Sequence, residues 1–281
     1  MGDLAADTAV TLIDGPDDQG RSRARALVHS DWEIWGPEGG YVAAIALRAA
    51  GAVSPFVRPA SFFCHYLSGA AFAPVELTVT PLRSGRTVLS QRVEMTQEGR
   101  PVLDAMVWSV GQVEGLTHED TAPPEVPDPE DLLSPRELWP DQEARFPFWG
   151  NFDQRPIDYV AVWPPDGPLP PTWRCWVRCP SGQAAAFDDP WVDAARTLVL
   201  LDVMSWPAGG RPHAHADPPF IAPSLDLYTS FQHAGAPTDW ILLDGHAPVA
   251  ADGLLSWNGR LWSRSRQLIA SGGGQAVFRH T

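Results

Sequence analysis

One pattern, met twice, limits what this chain can fold into more than any single motif. Strand-like stretches at 9–13 and 25–34, a helix over 36–51 and four strands at 60–67, 75–80, 87–96 and 102–110 make the first pass. Strand-like stretches at 152–162 and 173–179, a helix over 188–207 and strands at 224–231, 240–247, 253–262 and 267–278 make the second. Val75, Leu77 and Val79 alternate with Glu76, Thr78 and Thr80, the two-residue period of a strand with one buried face. Short Gly-containing turns at 83–86 and 97–100 join three of these strands into an antiparallel meander. PASFFCHYLSG at 59–69 sets against APSLDLYTSFQ at 222–232, and TQEGRPVLDAMVWS at 96–109 against SRSRQLIASGGGQA at 263–276. The same alignment places Asn258-Gly259 inside a strand, where a Gly marks a bulge, and moves the turn to Ser263–Arg266. Neither a half-apolar sheet nor a helix stripe is stable without a covering layer, so the repeat predicts an α+β tandem.

The second helix, DDPWVDAARTLVLLDVMSWP, is apolar almost all round. Asp188 or Asp189 can cap it, Pro190 suits its first turn, and Pro207 stops it. Trp191, Ala195, Leu198 and Asp202 fall on one stripe, so an acid shares the buried face with three apolar side chains. A carboxylate there must be hydrogen-bonded, protonated or used in chemistry, because burying it unpaired costs several kcal/mol. In the first helix Gly39 and Gly40 let the N-terminal backbone approach another group, and Gly51 ends it. That helix carries no acid at 43–47, so one active site per chain is expected.

Composition removes several function classes. All 20 basic residues are Arg, which excludes a P-loop lysine and Schiff-base chemistry. A net charge of -14 argues against a nucleic-acid or anionic-membrane partner. There is no G-x-S-x-G elbow, no H-E-x-x-H, and no βαβ unit after Gly272-Gly273-Gly274. Cys64, Cys175 and Cys179 cannot build a disulfide framework, Cys175 and Cys179 lack partners at zinc spacing, and His213 and His215 lie in a Pro/Gly-rich loop. No metal or cofactor is expected. With no signal pattern at the N-terminus and no apolar run of the roughly 18 residues needed to span a bilayer, a cytoplasmic location is expected.

Between the passes, residues 112–147 are acidic and Pro-rich, with PPEVPDPEDLLSP at their centre. The expected organisation is an N-terminal unit over 1–111, a linker over 112–147 and a C-terminal unit over 148–281. A long helix laid across a curved meander is the hotdog unit, and two in one chain form a double hotdog. The order GGYVAAIALRAA, RPASFFCHYLSGA, LLDVMSWPA, APSLDLYTSF, ADGLLSWNGRLW and LIASGGGQAVFR resembles the acyl-CoA thioesterase II family over nearly the whole chain outside the linker.

That resemblance implies an acyl-CoA substrate and a hydrolytic water held by an Asp on the second helix, a Thr or Ser on the next strand and a Gln on the last strand. On this chain the first two fall on Asp202 and Ser224. Aligned without a gap the Gln falls on Gly274; Gln275 is one place later and serves only if a bulge in the glycine run restores its direction. Asp226 either shares the site or bonds the strand edge. Gly39 and Gly40 offer backbone donors for a developing oxyanion, while His65 and Tyr66, on the mirror strand, are expected near the substrate. Candidates for the CoA phosphates are Arg58, Arg83, Arg86, Arg211, Arg264 and Arg266. Two rivals stay open: a hotdog hydratase or dehydratase, which wants an Asp and His pair, and an acyl-CoA-binding accessory protein without turnover. Hotdog sheets often pair, so a homo-oligomer is a further expectation.

Overall fold

The structure, a computed structural model, describes residues 1–140, 146–162, 164–216, 218–235 and 239–281. In the first half lie α1 (Leu4–Asp7), β1 (Thr11–Asp14), β2 (Ser22–Leu27), α2 (Gly39–Val53), β3 (Arg58–Tyr66), β4 (Pro74–Ser84), β5 (Val88–Gln97) and β6 (Arg100–Val110). After α3 (Pro135–Leu138) come β7 (Asp153–Pro156), β8 (Thr172–Arg178), α4 (Pro190–Asp202), α5 (Ser205–Gly209), β9 (Phe220–Ile221), β10 (Asp226–Phe231), β11 (Ile241–Ala251), β12 (Leu254–Ser263), β13 (Leu268–Val277) and β14 (Arg279–His280).

Twelve strands form one sheet in the order β1-β2-β4-β5-β6-β3-β10-β13-β12-β11-β8-β7, with β9 and β14 pairing apart. Read outward from the β3–β10 seam, the two halves are the same series of strands. In that antiparallel seam Leu227 faces Cys64, both fully buried. The inner face curls round α2 and α4, which pack on each other, and the main core fills the space between. This is the double hotdog, of the α+β class.

Local chemistry explains the elements. Glu98-Gly99 and Asp252-Gly253 supply the paired positive-φ residues of tight hairpins between β5 and β6 and between β11 and β12. Asn258-Gly259 lies inside β12, and the reversal comes after Ser263, where the Arg266 amide bonds back to the Ser263 carbonyl. No bulge interrupts the register at Gly259 or through Gly272–Gln275. Gly245, Gly259 and Gly272 stand opposite one another on adjacent strands, and the Met204 side chain lies where side chains of the first two would be.

The expected helix over 188–207 is two helices. Pro207 has no N–H for the Val203 carbonyl and its ring crowds that carbonyl, so α4 closes at Asp202 and α5 restarts at Ser205. Every residue from Trp191 to Asp202 is buried; Asp193 and Arg196 do so as an ion pair, with Asp193 also accepting the Gly235 amide at 2.8 Å. The first helix does not end at Gly51 but runs to Val53.

The expected linker, of which 141–145 lie outside the described residues, is strand-free where described and runs along the second half. Its Val126 and Leu132 cover a small cluster of Trp176, Trp240, Leu242 and Trp262. Glu130 and Glu125 pair with Arg264 and Arg266 at 2.7 and 3.0 Å. Among the described residues no helix is long and apolar enough to cross a membrane.

Candidate active site

The N-terminus of α2 lies against the C-terminus of α4, and glycine makes that contact possible. A Cβ on Gly40 would collide with the Leu198 carbonyl oxygen, and one on Gly39 would sit 2.5 Å from Asp202 Oδ2. With only hydrogens there, the Gly40 amide donates to Asp202 Oδ2 at 3.0 Å. Ser224, just before β10 and bridged to Ala276, donates its Oγ–H to Asp202 Oδ1 at 2.9 Å. Each carboxylate oxygen therefore has one donor in place and a lone pair to spare.

Two further groups close round this acid. Glu38 caps α2 by accepting the Tyr41 amide on Oε2 at 2.6 Å, and its carboxyl lies within hydrogen-bonding reach of Asp202. The Tyr66 hydroxyl, 3.2 Å from where a Gly39 Cβ would stand, is buried without a hydrogen-bond partner among the described residues. A turn through Gly36, closed by a bridge between Glu33 and Pro37, leads into the cap; Trp35 on it meets Trp206 of α5 edge-on at 5.8 Å, and Trp206 in turn meets Phe278.

Both acids are 5 % exposed. Burial pushes Asp202 above the ordinary carboxylate range, against the hydrogen bonds from Ser224, Glu38 and Gly40 that favour its charge. Burial, and then the charge on Asp202, pushes Glu38 well above its usual range. Burial, and again the Asp202 charge, holds the Tyr66 phenol far above its usual range, so Tyr66 is a donor throughout the pH range of interest.

The structure thus brings Asp202, Ser224, Gly39, Gly40 and Tyr66 together. It does not bring Gln275 or His65 to them. With the β13 register unbroken from Gly272 to Ala276, Ala276 turns inward and Gln275 outward into solvent; a Cβ at Gly274, the inward position, would strike the Asp226 carbonyl. His65 alternates with buried Cys64, faces the outer side of the sheet and meets the Phe63 ring at 4.8 Å. Asp226 bonds the strand edge, accepting the Gln275 amide at 3.0 Å. Of the arginines, Arg264 and Arg266 are taken up by the linker acids, and Arg211 donates to the carbonyls of Asp158 and Pro170. Arg58, Arg83 and Arg86 are exposed.

Glu38 is the site residue missed from sequence. One signal was present: Glu is not among the favoured caps, so a Glu directly before Gly-Gly at a helix start calls for another reason.

Sequence models of the acyl-CoA thioesterase N-terminal domain and C-terminal domain match residues 28–110 and 120–277. The chain belongs to the acyl-CoA thioesterase family. Solved structures agree in fold. An acyl-CoA thioesterase II, TesB2, of Mycobacterium marinum is 21% identical over 99% of this chain and 98% of its own, with a TM-score of 0.76. A candidate thioesterase of Novosphingobium aromaticivorans is 26% identical over 95% and 98%, with a TM-score of 0.74. The dehydratase domain of the polyketide PpsC from Mycobacterium tuberculosis shares the fold at 14% identity over 98% and 99%, with a TM-score of 0.55. Membership of the thioesterase family places the chain among thioester hydrolases, and the acid, hydroxyl and helix N-terminus are the parts from which such a site can be made.

Proposed function

We propose that this thioesterase hydrolyses acyl-CoA to a free acid and CoA with a water activated by Asp202. The observation that carries the reading is a buried carboxylate with one donor on each oxygen, Ser224 Oγ–H and Gly40 N–H, and no cation among the groups acting on it. A structural acid would be neutralised by such a cation; an acid left desolvated and basic is fitted to take a proton.

Asp202 accepts a proton from the water as its oxygen bonds to the thioester carbonyl carbon. Ser224 fixes the plane of the carboxylate. The Gly40 N–H, expected to serve the oxyanion, is already committed to Asp202, so the donors for the developing negative charge are the Gly39 N–H at the α2 N-terminus and the Tyr66 O–H. Collapse of the tetrahedral intermediate breaks the C–S bond, and the proton on Asp202 goes to the departing thiolate. Gln275 is no part of this scheme: the water is served by an Asp and Ser pair rather than by three side chains.

Asp202 is hydrogen-bonded by Ser224, Glu38 and Gly40, and His65 faces the other side of the sheet, so these two do not form the Asp and His pair of a hydratase. Purified protein incubated with acyl-CoAs of several chain lengths, with thiol release followed, tests the reading. Release that Asp202→Asn abolishes is the expected result; saturable acyl-CoA binding with no release would put an accessory binding role in its place.

A further inference from the structure

Glu38 has no task in the chemistry above, yet its carboxyl lies within hydrogen-bonding reach of that of Asp202. Its two oxygens differ. Oε2 accepts the Tyr41 amide at 2.6 Å, and Oε1 is fully buried with no partner among the described residues. The amides of Gly40 and Tyr41 and the Ser224 hydroxyl are each already committed to another oxygen, and the Gly39 amide and the Tyr66 hydroxyl are the donors assigned above to the oxyanion. The titratable groups facing Glu38 are Asp202 from α4 and Tyr66 from β3, with Cys64 behind Tyr66. None is a cation. Two carboxylates in contact in a dry site cannot both be ionised. A proton on the unpartnered Oε1 would turn an orphaned acceptor into a donor, which makes that oxygen the natural seat of the shared proton.

We propose that Glu38 is a positioning residue: protonated, it donates to Asp202, holds that carboxylate turned toward the water, and confines hydrolysis to the pH range in which the two acids share one proton. This rests on the hydrolase reading of the same site. Glu38 keeps its proton throughout the reaction; the water's proton passes to Asp202 and then to the thiolate. Below the range Asp202 is protonated and cannot act as base. Above it Glu38 ionises, repels Asp202 and withdraws its hydrogen bond, so the rate falls again. A lone aspartate would give a rise to a plateau.

The test compares wild type with Glu38→Gln, which keeps an acceptor for Tyr41 and offers Asp202 a donor that does not ionise, and with Glu38→Leu, which offers none; circular dichroism checks that both fold. For each, kcat and KM for an acyl-CoA are measured from acid to alkaline pH, and wild-type-minus-Glu38→Gln difference infrared spectra at neutral pH read the carbonyl stretch of a protonated carboxyl. The expected result is a bell-shaped wild-type kcat profile, loss of its alkaline limb in Glu38→Gln with little change at neutral pH, and a roughly tenfold lower kcat at similar KM in Glu38→Leu, the size of one charge-assisted hydrogen bond. An alkaline limb that survives in Glu38→Gln, an unchanged kcat in Glu38→Leu, or no protonated-carboxyl band would each overturn the proposal. A band together with no thiol release by the wild type would overturn the hydrolase reading, and the positioning role with it, while leaving the shared proton in place.

Discussion

The paired helices have two ends that duplication made equivalent, and they have diverged. Asp202 is the thirteenth residue past the α4 cap Asp189, and Gly51 is the thirteenth past the α2 cap Glu38. Gly40 and Trp191, each second after its cap, are likewise counterparts. At one end a glycine backbone reaches an acid and the cap is a buried glutamate. At the other a tryptophan ring covers a glycine, its amide bonds its own cap Asp189 at 2.8 Å, and that cap, with its side chain 49% exposed, pairs with Arg48 at 3.2 Å. A small cavity of about 170 Å³ beside Arg48, Gly51 and Trp191 remains there. The same scaffold thus solvates and neutralises its acid at one end and desolvates two acids at the other. Stability alone favours the first arrangement, so the second is where function is to be sought.

The sharpest break in that comparison is Asp202→Asn. Its amide oxygen can accept from the Gly40 N–H and its Nδ2–H can donate to the Ser224 Oγ, so the fold is kept while the base is lost. Thiol release should fall about 10³-fold, within the usual range for removing a general base. Stability moves the other way. Because the folded pKa of Asp202 is raised, the native state holds that proton more tightly than the unfolded chain does. Stability is therefore lost as pH rises through the folded pKa, and Asn removes that loss. Thermal melts of the variant should exceed wild type at neutral and alkaline pH and converge with it below the ordinary carboxylate range; equal melting at all pH values would contradict the desolvated acid.

Alanine at the two helix-contact glycines separates the ends by stability. At Gly40 the new methyl meets backbone, the Leu198 carbonyl, which cannot move without shifting α4. At Gly51 it meets the Trp191 ring, 2.6 Å from Cδ2, and a side chain can yield. Gly40→Ala should cost about 3 kcal/mol and Gly51→Ala about 1 kcal/mol, the two ends of the usual overpacking range, in denaturant unfolding. The reverse order would mean that the Trp191 end is the more rigid.

Ser224→Ala should lower kcat about tenfold, the loss of one hydrogen bond to a charged group, with little change in melting. Asp202 was legible from period, as an acid on an apolar helix stripe, whereas Ser224 and its pairing with Asp202 came from the resemblance to the acyl-CoA thioesterase II family. The meander in each half was legible because one half repeats the other, but the β3–β10 seam that joins the halves into one sheet was not. What was not legible depends on contacts between segments far apart in the chain. Gly51 looks like a helix stop until Trp191 lies on it, Pro207 looks like a terminus when it marks a break, and nothing near Glu38 announces the acid it will face.

The smallest effect is expected from Gln275→Ala, and it bears on whether this end of the helix pair works with two side chains or three. A strand shows each face every second residue, so a Gln one place from the inward position reaches the site only if the ladder slips. Gly272 to Ala276 pairs in an unbroken register with Gly259 to Leu255, Ala276 is fully buried, and Gln275 is exposed. Removing its amide should change kcat/KM by less than about twofold and melting by less than about 0.5 kcal/mol, as for a surface substitution away from any cap or core contact. A loss of about tenfold or more would mean that β13 moves by one residue when acyl-CoA binds, carrying Ala276 out of the core. The same shift would bring Gln275 beside Ser224, so His65→Ala, on a strand that does not slip, should remain silent in that case and in this one.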